Sequence, residues 1–138
     1  MHDLPRQLSV DELAELFGGR TAFVERLARE EDPLTRASAL IHEIPDADKL
    51  AALETHPRIG ERSREQRGDE PEVLAELARL NHAYEQKFGF RFVIFVNRRS
   101  RSELVPILRE RLERTRDEEL DTALGELVEI AKDRWSRR

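Results

Sequence analysis

Apolar residues recur at steps of three or four along most of this chain, and short polar breaks separate the groups. This spacing covers one face of an α-helix, whereas a half-buried strand alternates apolar and polar residues. The longest stripe contains Leu120, Leu124, Leu127 and Ala131. Because each helix must bury its apolar face against another, the pattern predicts a helical bundle.

Capping residues, prolines and glycines divide the chain into short helices. Ser9 followed by Glu12 has the spacing of a capping box, and a glycine pair closes this first helix. The chain is long enough for one core but not for two. We therefore predict an all-α, single-domain bundle of seven to eight short helices over residues 1–138. Further helix starts are predicted at Thr21, Asp32, Pro71, Ser102 and Asp117.

One segment departs from the helical pattern. The run FRFVIFV, from Phe90 to Val96, has the local composition of a β-strand. No other part of the sequence could pair with it, and a lone strand would leave its backbone groups unpaired. We therefore predict that this run is buried extended or helix-terminal backbone rather than part of a sheet.

Composition excludes several classes of function. Acidic residues number 29 and basic residues 24, and the arginines alternate with Glu and Asp along the predicted helices. Such alternation is typical of ion-paired helix faces and disfavours nucleic-acid binding. No apolar run approaches the ~18 residues of a membrane span, and no signal peptide is evident. The absence of cysteine excludes disulfides and thiolate chemistry and is compatible with a cytoplasmic location.

The polar connection 56–70 is a candidate functional loop, because it is long and lacks apolar periodicity. His56 stands between a helix end and a proline, so its ring could be presented to a ligand and exchange a proton near neutral pH. Alternatively, the ring could hydrogen-bond the end of the preceding helix. Glu65 and Gln66 could orient that histidine and bind a ureido group, or they could belong to a solvated, charge-paired turn.

Arg134 continues the apolar stripe of the last helix. A guanidinium at the edge of such a face either extends to solvent or meets an anion, and its planar fork fits a carboxylate. A metal site is not predicted. His42 and Glu43 lack the second histidine of a helical zinc motif, and the sequence has no cysteine or cluster of Asp and His to replace it.

Four segments in order resemble a known family: HPRIG, SREQ, LNHAYEQKFGFRFVIFV and RERLERTRDEELDTALGELVEIAKDRW. They are similar to 2-oxo-4-hydroxy-4-carboxy-5-ureidoimidazoline (OHCU) decarboxylases, and the similarity extends from about Leu13 to Trp135. The resemblance implies an all-helical, commonly homodimeric enzyme that needs no metal or organic cofactor. It also implies a ureidoimidazoline substrate and (S)-allantoin as the product, in urate degradation.

The resemblance assigns roles to individual residues. It implies that His56, Glu65 and Arg134 are catalytic. Two positions differ from the family pattern: Arg62 stands where a serine is usual, with Ser63 beside it, and Arg91 replaces the proline of FGFPF. The implied substrate-binding residues are Pro57, Arg62, Ser63, Gln66, Phe92, Val93, Ile94, Phe95 and Val96.

Two other functions remain open at the level of sequence. The pocket could serve a related lyase or hydrolase acting on another small ureide, or the fold could be a non-catalytic interaction module. A pure scaffold would have no reason to combine a His-Pro loop, a Glu-Gln pair and an arginine on a helix face.

Overall fold

The computed structural model describes residues 5–56 and 71–137, and it confirms the predicted all-α bundle. Within these residues there is no strand, and no helix is both long and apolar enough to cross a membrane. The helices in the described ranges are α1 (Val10–Phe17), α2 (Ala22–Leu27), α3 (Pro33–Glu43), α4 (Asp46–Leu53), α5 (Pro71–Phe88), α6 (Arg101–Arg111) and α7 (Arg116–Ser136).

Reciprocal capping boxes fix three of the helix starts. The predicted box of Ser9 and Glu12 begins α1, and equivalent boxes begin α6 and α7 at Ser100 and Thr115. The starts predicted at Ser102 and Asp117 were therefore slightly late, because the residue that accepts the N3 amide lies further upstream. Asp32 does occupy the cap position of α3, but its side chain makes no capping hydrogen bond.

Helix α7 is the main packing surface of the bundle and contacts α1, α3 and α4. The stripe predicted on α7 is buried, from Leu120 through Leu124 and Leu127 to Ala131. Helix α2 packs against α1, α3 and α4, while α5 pairs with α6. This arrangement places the C-terminal half of α7 beside the ends of α1 and α4, where the polar candidates lie.

The run after α5 is extended and has no ladder partner among the described residues, as predicted. Gly89 adopts a left-handed φ of 82° and ends α5, which turns the chain into this run. Phe90 and Phe92 then pack edge-on against Tyr84, with ring centroids 5.9 and 5.3 Å away. Buried aromatic contacts thus fix the start of a segment that has no sheet to hold it.

Candidate active site

His56 lies in a tight turn just beyond α4. The Thr55 hydroxyl lies 2.8 Å from both the Phe17 and the Ala52 carbonyl oxygens, which ties this turn to the end of α1. The backbone amide of His56 donates to the Leu53 carbonyl at 3.3 Å. The residue is only 6% exposed, so the turn carries its side chain into the protein.

Arg134 faces the same region from α7. Its Nη1 donates to the carbonyl oxygen of Leu16, in the last turn of α1, at 2.9 Å. The side chain is half-buried, and burial lowers the pKa of its guanidinium below the usual value. An arginine stays protonated at neutral pH even so. Arg134 therefore supplies a fixed positive charge, held by a helix end, with further donors on the same group.

Side chains from α6, α7 and the connection before α6 hold the extended run. Arg111 Nη1 donates to the Val93 carbonyl at 3.0 Å, and Arg99 donates to the carbonyls of Phe95 and Val96 at 2.6 and 3.0 Å. The amide of Phe95 donates to Glu126 Oε1 at 3.3 Å. In the structure the Phe95 amide is therefore occupied by a carboxylate of α7.

A pocket of about 340 Å³ brings the predicted groups together. His56, Arg134 and the entire run from Phe92 to Val96 line it. Three remote segments of the chain thus converge on one volume, which is large enough for a small metabolite. The other candidates, Pro57, Arg62, Ser63, Glu65 and Gln66, lie outside the described residues.

The electrostatics of the pocket favour a neutral histidine. Burial and, to a smaller extent, the positive charge of Arg134 together lower the pKa of His56 from 6.5 to about 4. The imidazole is therefore uncharged at pH 7 and can accept a proton. Its Nε2 is buried and has no hydrogen-bond partner among the described residues. A buried polar atom of this kind is expected to have a partner, and a bound substrate could provide one.

Five further pocket residues were not anticipated from sequence: Asn97, Arg98, Ile130, Asp133 and Arg137. Asn97 and Arg98 both have left-handed backbones, with φ of 49° and 67°. Asparagine tolerates this conformation, so Asn97 carried a readable turn signal. Arg137 Nε donates to Asp133 at 2.8 Å, and nothing in the sequence pattern distinguished that pair from other surface ion pairs.

The described residues contain no group of three His, Cys, Asp or Glu side chains that could hold a metal ion. Fold and pocket together define an all-α protein whose pocket combines a neutral proton acceptor with a fixed cation. A sequence profile of the OHCU decarboxylase family matches residues 2–136. The chain belongs to this family, which confirms the resemblance seen in the sequence.

Individual relatives agree with the family assignment. A 2-oxo-4-hydroxy-4-carboxy-5-ureidoimidazoline decarboxylase of Haloferax volcanii is 29% identical over an alignment of 164 residues, which includes 100% of this chain and 98% of the relative. A uric acid degradation bifunctional protein of a Bacillus species is 26% identical over 91% of this chain and 29% of its own length. In that protein the similarity is confined to one part of a longer chain.

Solved structures show the same fold. An OHCU decarboxylase crystallised in the presence of (S)-allantoin superposes with a TM-score of 0.79 and 26% identity, covering 91% of this chain and 96% of the other. An (S)-allantoin synthase structure has a TM-score of 0.75 at 21% identity, covering 93% of this chain and 48% of the other. At that identity the second match speaks for the fold alone.

Proposed function

We propose that this protein decarboxylates OHCU to (S)-allantoin in urate degradation, without a metal or organic cofactor. One observation carries the proposal. In a chain of this family, His56, Arg134 and the run from Phe92 to Val96 line a single pocket. The proposed catalytic residues are His56, Glu65 and Arg134, of which the first and last are described.

The reaction needs an electron sink and three proton movements. As the bond between the ring and the carboxylate breaks, carbon dioxide leaves and the bonding electron pair passes to a ring nitrogen of the imidazoline, which takes up a proton. The 4-hydroxyl then loses its proton to become a carbonyl, and the neighbouring ring carbon gains a proton on one face, so that one proton is taken up in total for each carboxylate lost. The neutral ring of His56 is available to accept the hydroxyl proton at pH 7, and a carboxylate beside it, from the substrate or from Glu65, would raise its basicity.

Arg134 can bind the anionic substrate. Its Nη1 is held by the Leu16 carbonyl, which leaves the outer part of the guanidinium for a carboxylate. The extended run presents mostly apolar side chains to the same pocket. Such a wall would exclude water from around the carboxylate. Because the charged group is then poorly solvated, its departure as neutral carbon dioxide becomes easier.

The remaining site residues complete the proposal by family resemblance. Glu65 would hydrogen-bond His56 or exchange a proton with it. The Nε2 of His56 is buried without a partner among the described residues, which supports a hydrogen-bonding group of this kind nearby. Gln66, Ser63 and Arg62 would bind the ureido and carbonyl groups, with Pro57 shaping the loop beside His56. We further propose a cytoplasmic homodimer whose protomer is one domain over residues 1–138. Light scattering of the purified protein would test the dimer.

The direct test is to generate OHCU from urate with urate oxidase and hydroxyisourate hydrolase, and then to add this protein. We expect rapid appearance of the circular dichroism signal of (S)-allantoin, well above the spontaneous rate. Racemic allantoin at the spontaneous rate would contradict the proposal. Turnover of a different small ureide, with OHCU ignored, would favour the related lyase or hydrolase. No turnover of either would favour the non-catalytic module.

A further inference from the structure

Arg91 joins two backbone segments that form the pocket wall. It directly precedes Phe92 at the start of the extended run, and its side chain reaches back to the turn after α4. Its Nη1 donates to the carbonyl oxygen of Glu54 at 3.0 Å and to that of His56 at 2.8 Å. Arg91 itself does not line the pocket.

The chemistry of this contact suits a clamp. A terminal guanidinium nitrogen carries two hydrogens, so one nitrogen can donate to both carbonyls. These carbonyls lie at and just beyond the end of α4, where carbonyl groups lack helical partners and a positive charge is favourable. The amide of His56 has only a longer bond, of 3.3 Å, to Leu53. Of the two described hydrogen bonds to the His56 backbone, the one from Arg91 is therefore the shorter.

We propose that Arg91 is a positioning residue that fixes His56 relative to the extended run, an inference that rests on the proposed function of this pocket. The His56 ring and the run line the same pocket, so both would contact one substrate. Because Arg91 belongs to the run and bonds the backbone of His56, it sets the distance between them. The proline usual at this position in the family has no side-chain donor, so the clamp is a feature of this chain.

Substitution by methionine provides the main test, because Arg91→Met keeps most of the aliphatic stem and removes the donors. We expect kcat for OHCU to fall about 10- to 100-fold with a much smaller change in KM, since misplacing a catalytic group by about 1 Å can cost this much. Arg91→Lys restores a cationic donor and should recover a large part of kcat. If Arg91→Met does not fold, Arg91→Gln should show the same loss, because its shorter amide cannot reach both carbonyls.

A second readout does not depend on turnover. The pKa of His56, followed by NMR, should rise from about 4 towards 6.5 in Arg91→Met, because a released ring is better hydrated. Arg116→Ala is the matched control: Arg116 Nε donates to the Phe88 carbonyl at the end of α5, outside the pocket. That variant should leave the His56 titration and the activity per folded molecule unchanged.

The outcomes separate the clamp from the proposed function. A wild-type protein without OHCU activity would refute the function, while a shifted His56 titration in Arg91→Met would still support the clamp. An unchanged titration and an unchanged kcat in folded Arg91→Met would overturn the clamp. Equal losses in Arg91→Met and Arg116→Ala would also overturn it, because they would indicate general destabilisation.

Discussion

Replacing Glu119 with glutamine should destabilise the protein severely. Its side chain is fully buried and accepts hydrogen bonds from Arg111 Nε at 2.7 Å, Arg114 Nη1 at 2.8 Å and the Tyr84 hydroxyl at 2.6 Å. The Arg111 side chain is itself only 7% exposed, so its positive charge depends on this carboxylate. Arg114 is 35% exposed and is partly screened by solvent.

The size of the stability loss in Glu119→Gln follows from the buried positive charge of Arg111, which the substitution leaves unpaired. Removing one partner of a buried ion pair costs about 3–5 kcal/mol, most of it from the uncompensated charge. For 138 residues, an unfolding entropy of about 2.1 cal/mol/K per residue gives about 0.3 kcal/mol/K. The melting temperature should therefore fall by roughly 10–17 °C.

Urea denaturation followed by circular dichroism would measure this loss, with Glu129→Gln as the control on the exposed face of the same helix. The control should leave the unfolding midpoint unchanged. Adding Arg111→Met to Glu119→Gln should cost much less than the sum of the single changes, because the stranded charge is gone. A loss below about 1 kcal/mol in Glu119→Gln would refute the reasoning, since it would mean that Arg111 reaches solvent.

Three further results are expected. Lowering the pH from 6.5 towards 4 should reduce the free energy of unfolding, because the pKa of His56 is near 6.5 in the unfolded protein but about 4 in the folded one. The His56→Asn variant should show a weaker dependence of stability on pH. An equal slope in both proteins would contradict this prediction. Arg134→Gln should raise the pKa of His56 in an NMR titration but leave it below 6.5, because burial is the larger cause of the shift and the charge the smaller; no rise would exclude the coupling. Exhaustive chelation should leave turnover of OHCU unchanged, and a loss that one added ion restores would disprove metal-independent catalysis.

Much of the fold could be predicted from local signals. The box of Ser9 and Glu12 and the buried stripe of α7 both follow from side-chain spacing along a single helix. The extended run was also predictable, since the sequence offers no second strand to pair with it. Helix starts were less exact where two serines compete, as at Ser100 and Ser102, because only one of them accepts the amide of Glu103.

The site was only partly predictable. The apolar stripe of α7 singled out Arg134. Whether its guanidinium extends to solvent or meets a buried acceptor depends on the end of α1, which is remote in sequence. His56 stood out by its place before a proline, whereas its burial and lowered pKa arise from tertiary packing. The bonds from Arg91 to the turn after α4 likewise join segments whose proximity no local pattern reveals.

The central claim is that His56 takes part in proton transfer during OHCU decarboxylation, and His56→Asn tests it most directly. Stereospecific (S)-allantoin formation and thermal stability should be measured on the same preparation of mutant and wild type. We expect a folded protein, because the described bonds of this turn come from its backbone and from Thr55, with turnover reduced roughly 10²–10⁴-fold. A destabilised mutant with full turnover per folded molecule would contradict the claim, since it would show that His56 is structural.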